Sequence, residues 1–310
     1  MMKLNNLKGS LILITAALIW GLAFVAQSGA ANIVPPFIIN ALRSFIAAAV
    51  LYIFNLIISR KDGIRFFPPE KEDRRQYLLA GAVCGFCLAV SVNFQQFGIA
   101  AYEGNNVASE ARSAFITALY VILVPLFSVF AGKKVSAAVW TAIFVAMVGI
   151  YLLCFSGGIG GIYLGDILVF CCAISFALHI MAVDKFVSIT GGIKLSIMQF
   201  TVTGVISLVF SLLFELGSIN ISNILSAAPQ ILYLGIMSSG IAYTLQIVGQ
   251  KYAEPAVASI SMSLESVFGA LGGWLISQNA LDKREIFGCA LVFVAIVVAQ
   301  LPPIHKKARN

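Results

Sequence analysis

The sequence predicts an all-α polytopic membrane protein: ten transmembrane helices forming two inverted five-helix repeats around a central cavity. Three observations carry that prediction: unbroken apolar stretches, a one-sided distribution of Lys and Arg, and the likeness of the two halves. The chain of 310 residues is 60% hydrophobic and only 11% charged, a balance unlike that of a soluble core of this size.

A hydrocarbon core of roughly 30 Å is crossed by about 20 apolar residues at helical rise. Stretches of about that length run in order at Ser10–Ser28, Phe37–Ile58, Tyr77–Ala101, Val107–Ala131 and Ser136–Phe155. Five more follow at Tyr163–Val183, Gly192–Leu216, Gln230–Gln250, Ala256–Ser277 and Glu285–Leu301. The longest connection, Ser59–Gln76, leaves no room for a soluble catalytic domain. The first stretch is read as a span and not as a cleaved signal peptide, although the Ala-Gln-Ser-Gly-Ala run from Ala26 is similar to a cleavage region. Removing it would leave nine spans and break the repeat.

Charge sets the topology. With the N-terminus in the cytoplasm, the inside segments hold Lys3, Lys8, Arg60, Lys61, Arg65, Lys71, Arg74 and Arg75. They also hold Lys133, Lys134, Lys185, Lys194, Lys251, Lys306, Lys307 and Arg309, sixteen in all. The outside segments hold only Lys283 and Arg284, beside Asp282 and Glu285. The positive-inside rule then predicts a multi-pass protein of the plasma (inner) membrane with both termini cytoplasmic. The net charge of +7 is a topology signal and does not point to nucleic acid. The six cysteines all fall within spans, and Cys84-Gly85-Phe86-Cys87 has the spacing of a redox or metal pair without its context. Core packing accounts for them, and neither a cofactor nor a metal is expected.

The halves, residues 1–155 and residues 156–310 with a short cytoplasmic tail, echo each other. Asn93–Ser109 slides onto Tyr243–Ser259 at an offset of 150, matching Gln96 with Gln246, Tyr102 with Tyr252 and Val107-Ala108-Ser109 with Val257-Ala258-Ser259. Phe144–Val148 answers Phe293–Val297 at an offset of 149, which also places Lys134 on Lys283. Residues near Trp20 correspond more loosely to those near Phe176. Five spans is an odd number, so the second copy enters the membrane in the opposite sense. The basic turn at Lys133-Lys134 accordingly lies inside and its counterpart at Asp282–Glu285 outside. Inverted repeats let one central site open to either side in turn, which a channel or scaffold does not need.

The chain resembles the drug/metabolite transporter superfamily in its ten-helix form with two EamA domains, over roughly residues 10–301. The resemblance rests on Ala17-Leu18-Ile19-Trp20-Gly21, Ala41-Leu42-Arg43-Ser44-Phe45, and Ala114-Phe115-Ile116-Thr117-Ala118-Leu119-Tyr120-Val121 followed by Pro125. Ala242-Tyr243-Thr244-Leu245-Gln246 and Ser263-Leu264-Glu265-Ser266-Val267-Phe268 carry it in the second half. Ser266 stands where the family usually has proline, and the Gly-Glu turn after the fourth and ninth helices is replaced. The resemblance implies a pseudo-two-fold helix basket around a cavity and the movement of small metabolites, commonly outward.

Intramembrane ionisable groups cost about 2.5–3.5 kcal/mol at mid-bilayer on insertion scales and so tend to face a cavity or a partner. Glu265, about ten residues into the ninth span, is read as a proton-coupling carboxylate, a counter-ion for a cationic substrate, or a helix-to-helix hydrogen bond. Arg112, in the outer third of the fourth span, is read as a carboxylate or phosphate ligand or as a side chain snorkelling to the interface. Arg43 is assigned a structural or gating role, capping carbonyls or pairing with an acid, with substrate contact as the alternative. Glu110, two positions from Arg112 and on a different face, is assigned to a gate or to solvent. His179 would suit proton coupling or a plain buried hydrogen bond. Asn93 and Gln96 correspond to Tyr243 and Gln246, and buried amides turn inward from lipid. Trp20, Phe24 and Phe176 supply aromatic wall or core.

The predicted substrate site is therefore Trp20, Phe24, Asn93, Gln96, Arg112, Phe176, His179, Tyr243, Gln246 and Glu265, suited to an amino acid, an amine or a flat aromatic compound. An intramembrane aspartyl protease would need Asp166 and Asp184 together, but they fall at opposite ends of a span. The sequence also holds no His-Glu-x-x-His motif. A channel would show charge rings or a filter loop. A nucleotide-binding Gly-x-x-x-x-Gly-Lys-Ser/Thr loop is likewise missing from the sequence. The expectation is a secondary-active transporter, not an enzyme: an exporter coupled to protons, or an exchanger or importer, acting as a monomer or homodimer in the lipid bilayer on a small-molecule substrate.

Overall fold

The computed structural model describes residues 2–62, 66–67, 70–102, 109–154, 161–277 and 283–299. Among these residues there is helix and turn and no strand, as lipid requires of a chain whose backbone polar groups must be satisfied within each span. The helices are α1 (Met2–Ala31), α2 (Pro36–Asp62), α3 (Lys71–Ala100), α4 (Ser109–Thr117), α5 (Tyr120–Phe130), α6 (Ala137–Cys154) and α7 (Leu164–Thr190). They continue with α8 (Gly192–Phe214), α9 (Ile221–Ser226), α10 (Ala228–Leu232), α11 (Tyr243–Gln250), α12 (Pro255–Met262), α13 (Leu264–Ser277) and α14 (Lys283–Ala299). Seven segments of the described residues are long and apolar enough to cross a membrane: Leu7–Ala31, Pro36–Ile58, Asp73–Ala100, Arg112–Phe130, Leu164–Thr190, Gly192–Phe214 and Ala228–Gln250. Ala137–Leu152 and Pro255–Leu271 are shorter apolar helices. The expected all-α polytopic membrane fold is what the chain adopts. Parts of the predicted repeat and charge pattern, namely Val107-Ala108, Arg65, Asp282, Lys306, Lys307 and Arg309, lie outside the described residues.

Three of the expected spans are not single helices. The fourth breaks between α4 and α5 at Ala118–Leu119, and the ninth breaks between α12 and α13 at Ser263. The eighth begins with α10, widens into a π-helical stretch over Tyr233–Ala242, and narrows again as α11. Discontinuous helices inside a membrane are tolerated where the freed backbone groups face protein or a cavity. Hydropathy alone does not register these interruptions, because the residues at them are as apolar or as small as their neighbours.

For orientation we call the end of the bundle where α1 begins the near end and the opposite one the far end. The main packed pairs are α6 with α14, α3 with α7, α2 with α8, α3 with α8, and α1 with α13. Lipid supplies no hydrophobic drive between helices, so close backbone approach through small residues does much of the work. Gly21 of α1 lies against Gly269 of α13: a Cβ on Gly21 would stand 2.6 Å from the Gly269 amide nitrogen and 2.7 Å from the Phe268 carbonyl carbon. At the far end the buried Glu215 carboxylate accepts from the Phe37 and Ile38 amides at 2.9 and 3.0 Å. It thereby satisfies two of the orphan N–H groups at the start of α2.

Gly21→Leu should lower the thermal midpoint of the detergent-solubilised protein, at a cost of about 1–3 kcal/mol or more from overpacking against backbone. Gly217→Leu is the control, since nothing lies within 4 Å of its added Cβ. Differential scanning fluorimetry of both variants checks this, and equal midpoints would show that the α1–α13 crossing can slide open.

Candidate functional site

A cavity lies where the broken spans meet α1, α2, α3 and α7. Trp20, Ala23, Phe24 and Gln27 of α1, Arg43 of α2 and Gln95 of α3 line it. Thr117 closes α4 and Tyr120 opens α5; Phe176 and Ile180 come from α7. Ser238 comes from the π-helical stretch, Tyr243 and Gln246 from α11, Met262 from α12 and Glu265 from α13. The walls are mostly aromatic and aliphatic with a few convergent polar groups, the usual make-up of a small-molecule pocket.

Two groups that carry charge in water face this space, and neither has a charged partner among the described residues. Glu265 is 6% exposed, and its Oε1 accepts a hydrogen bond from the Tyr120 hydroxyl at 3.0 Å. Because the ninth span breaks at Ser263, this carboxylate sits in the first turn of α13, where free N–H groups favour negative charge. Arg43 is 2% exposed. Its Nε donates to Ser239 Oγ at 2.9 Å, its Nη2 to Ser238 Oγ at 3.0 Å and its Nη1 to Gln27 Oε1 at 3.5 Å. The expected carbonyl cap or acidic partner is thus replaced by two serines and an amide. The π-helical widening sets both serines toward α2, although they are adjacent in sequence.

Aromatic rings hold the floor. Trp20 stands edge-on to Tyr243 at 4.8 Å between centroids and donates from Nε1 to the Ser238 carbonyl at 3.3 Å. Tyr243 in turn packs edge-on against Phe200 at 5.5 Å. The T-shaped geometry adds about 0.5–1.5 kcal/mol per pair beyond area.

Of the ten residues predicted from sequence to bind substrate, Trp20, Phe24, Phe176, Tyr243, Gln246 and Glu265 are brought together here. Asn93, Gln96, Arg112 and His179 are not among the lining side chains. Asn93 is interhelical glue: it accepts from Asn40 Nδ2 at 3.0 Å and donates to Ser207 Oγ at 2.9 Å, joining α2, α3 and α8. Gln96 donates to the Gln27 carbonyl at 3.1 Å, tying α3 to α1. His179 is buried against Gln199 of α8, with Nε2 and Oε1 3.0 Å apart. Glu110 accepts from its neighbour Ser109 at 3.2 Å at the start of α4.

Arg112 is directed away from the cavity to the far end of α7. Its Nε and Nη2 form a two-pronged pair with Asp166, the latter at 2.6 Å, and Nη2 also donates to the Gly161 carbonyl at 2.7 Å. The Tyr102 hydroxyl donates to the same carboxylate at 2.6 Å, the Tyr163 amide does so at 2.8 Å, and the guanidinium lies 4.9 Å from the Tyr163 ring centre. The cluster fastens α3, α4 and α7 together at one end. Sequence inspection placed Asp166 at a span end but gave no signal that Arg112, far away in the chain, would reach it. Gln27, Gln95, Thr117, Tyr120 and Ser238 were also missed as lining groups, since single polar residues in apolar helices show no pattern of their own.

Comparison with known proteins fits this geometry. The model of the EamA-like transporter family matches residues 7–155 and 163–300. The chain belongs to the EamA-like transporter family. Over 307 residues it is 26% identical to an uncharacterized transporter of Archaeoglobus fulgidus, covering 96% of this chain and 87% of that one. It is 24% identical to the uncharacterized inner membrane transporter YedA of Escherichia coli K12, over 92% and 88% of the two chains. A solved crystal structure superposes with a TM-score of 0.74 at 21% identity, covering 94% of this chain and 96% of its own, which is a likeness of fold. The chain is a transporter of the membrane, not an enzyme, and its EamA-family relatives are named accordingly.

A double-mutant cycle of Arg112→Met and Asp166→Asn should return a coupling of about 0.5–3 kcal/mol in thermal unfolding, as expected for partners in one network. Additive losses would mean that the pair contributes nothing beyond its separate contacts.

Proposed function

We propose that this chain is a secondary-active, alternating-access carrier of small amphipathic metabolites (amino acids, amines or aromatic compounds) that works outward in exchange for protons. The observation that carries the proposal is the meeting of Glu265 and Arg43 in one aromatic-walled cavity with no charged partner for either among the described residues. A carboxylate shut away from water must be balanced by a proton or by a cationic ligand. When both compete for Glu265, release of one is tied to arrival of the other, which is the coupling an exchanger requires. Tyr120 holds the carboxylate for either occupant. Trp20, Phe24, Phe176 and Tyr243 provide apolar faces, and Arg43 a fixed positive pole for an anionic end.

The two-repeat reading, with halves at residues 1–155 and 156–310 and ten spans, draws support from packing. Gly9 and Gly249 abut at the near end, where a Cβ on either would stand 2.9 or 3.2 Å from the other's carbonyl oxygen. Gly165 and Gly98 abut at the far end with corresponding distances of 2.8 and 3.1 Å. Gly165 follows Gly9 by 156 positions and Gly249 follows Gly98 by 151. The crossings of α1 with α11 and of α7 with α3 are therefore counterparts at opposite ends. The same exchange maps α1 on α12 and α13 to α7 on α4 and α5, and maps the α2–α8 and α6–α14 pairs onto themselves. Such a relation lets a conformation of one half be adopted by the other. The charge bias of the sequence assigns the near end, and both termini, to the cytoplasm. A single chain contains the whole cavity, so a monomer is sufficient for function and a homodimer would not add to the site.

The test is transport in proteoliposomes across a panel of amino acids, amines and aromatic compounds, with and without a pH gradient. Saturable flux that responds to the gradient is expected. Glu265→Gln should reduce gradient-driven flux at least about tenfold, the loss expected for a transport step worth 1.4 kcal/mol, while leaving counterflow of unlabelled against labelled substrate. Unchanged gradient dependence in Glu265→Gln would remove the carboxylate from the coupling.

A further inference from the structure

We infer that His179 and Gln199 are a second, state-dependent wall of the transport pathway, packed away here and brought to the cavity when it opens toward the near end. The inference rests on the alternating-access reading above and extends it to residues outside the present cavity.

The lining residues sit on both sides of the aromatic floor: Gln27 lies on the far-end side of Trp20 and Ser238 on that of Tyr243, whereas Ile180 and Gln246 lie on the near-end side of Phe176 and Tyr243. Carrying α1 and α2 forward by 156 positions, and α3, α4 and α5 by 150, gives each lining residue a counterpart. Trp20 maps to Phe176 and Phe24 to Ile180, and all four line the cavity, as residues on the pseudo-two-fold axis should. The off-axis residues behave differently. Ala23 maps to His179 and Arg43 to Gln199, and neither counterpart touches the cavity. At these two positions the cavity takes the far-end member of each pair and leaves out the near-end one, and exchange of the two halves would put His179 and Gln199 where Ala23 and Arg43 now stand.

The second observation is independent of the repeat. His179 and Gln199 are both fully buried, and they bond to each other through Nε2 and Oε1 at 3.0 Å. A glutamine oxygen can only accept, so His179 Nε2 is the donor and its Nδ1 is left as an acceptor. Among the described residues that Nδ1 has no hydrogen-bond partner, and neither does Gln199 Nε2. Leaving a buried polar atom unpaired costs about 1–3 kcal/mol, and here two are left on one contacting pair. Among the described residues Gln246, which lines the cavity, and its counterpart Gln96, which does not, both leave Oε1 unpaired, the arrangement expected of positions that meet the cavity in turn. A pair destined only for packing would be cheaper as leucine and methionine. The unpaired acceptor and donors are what a hydrated or substrate-filled near-facing cavity would satisfy, so the penalty in one state becomes a contact in the other. The exchange also alters chemistry: the cationic Arg43 of the far-facing wall is replaced by an imidazole and an amide. An anionic group on the substrate is therefore held more tightly when the cavity faces the far end.

Side-specific cysteine labelling tests this on the full chain in sealed vesicles of both orientations. The six native cysteines are replaced first, and a membrane-impermeant methanethiosulfonate is the probe. His179→Cys and Gln199→Cys should react at least about tenfold faster from the near face than from the far face, even where the near-facing state is a minor one. Gln95→Cys and Ser238→Cys are controls that should react from the far face. Reactive controls with positions 179 and 199 inert from both faces, or reactive from the far face, would overturn the inference and leave alternating access standing. Inert controls would instead sink the reading on which it rests. Should both variants misfold, hydroxyl-radical footprinting of the unmodified protein decides. His179 should then be labelled well above the buried Phe200, and equal protection would refute the proposal.

Discussion

A hydrocarbon solvent that offers no hydrogen bonds is the constraint from which the rest of this structure follows. Each buried donor and acceptor must find a partner inside the protein, and the chain solves this differently in different places. Most of its length is continuous helix, in which the backbone satisfies itself. Where the helix is broken, as at Ala118–Leu119 and Ser263, the interruption is turned toward the cavity and the protein interior, not toward lipid. At helix ends, side chains such as Glu215 take the orphan amides. Many polar side chains of the interior are then shared between helices, as Asn40, Asn93 and Ser207 are, and others are held at the edge of the cavity.

Arg43 shows how one residue ties these solutions together. A guanidinium has five donors in a rigid fork, and in lipid it cannot leave them to water. A regular α-helix turns successive residues by about 100°, so Ser238 and Ser239 would not both reach one neighbour from it. The π-helical stretch relaxes that turn and lets both hydroxyls meet the fork, while the adjacent Ser238 carbonyl takes the Trp20 indole. The distortion, the arginine and the aromatic floor thus form one unit. Replacing any one of them disturbs the others, which makes single-residue effects at this site poor guides to individual contributions.

How much of this was written plainly in the sequence depends on the length scale of each signal. Spans of about 20 apolar residues and a charge bias spread over many loops are redundant, so fold class survived the loss of any one residue. Trp20, Tyr243, Gln246 and Glu265 could be picked out because a bulky or polar residue in an apolar helix is conspicuous. Arg112 was equally conspicuous, yet its destination was decided by Asp166, 54 positions away, and no local pattern reports that distance. The π-helical stretch and the break at Ser263 depend on small shifts in backbone hydrogen bonding among residues with near-identical hydropathy. Gln27, Tyr120 and Ser238 became visible only once three helices were in place around them.

The far-end cluster and the cavity then stand in a particular relation. Arg112, Asp166, Tyr102 and Tyr163 join the end of α3 to α4 and α7 at the far end of the bundle, beyond the cavity. In the repeat we propose, Ser10 takes the place of Asp166 and Tyr252 that of Tyr102, and no ion pair stands there among the described residues: Ser261 donates to Ser10 at 3.1 Å, and Lys8 lies 4.5 Å from the centre of the Tyr252 ring. An ion pair with two prongs and a neutral hydroxyl contact are unlike fasteners. The paired charges gain strength as water is excluded, whereas the Ser–Ser contact is worth about 1 kcal/mol net in either setting. A pseudo-symmetric carrier with identical fasteners would have no built-in preference between its two faces. Under the alternating access we propose, unequal ones would bias the resting equilibrium, and the bias would be set at the ends of the helices, remote from the cavity. On that proposal, recognition at the cavity and the balance between facing states would be alterable separately, even in a chain whose hydrophobic spans otherwise look interchangeable.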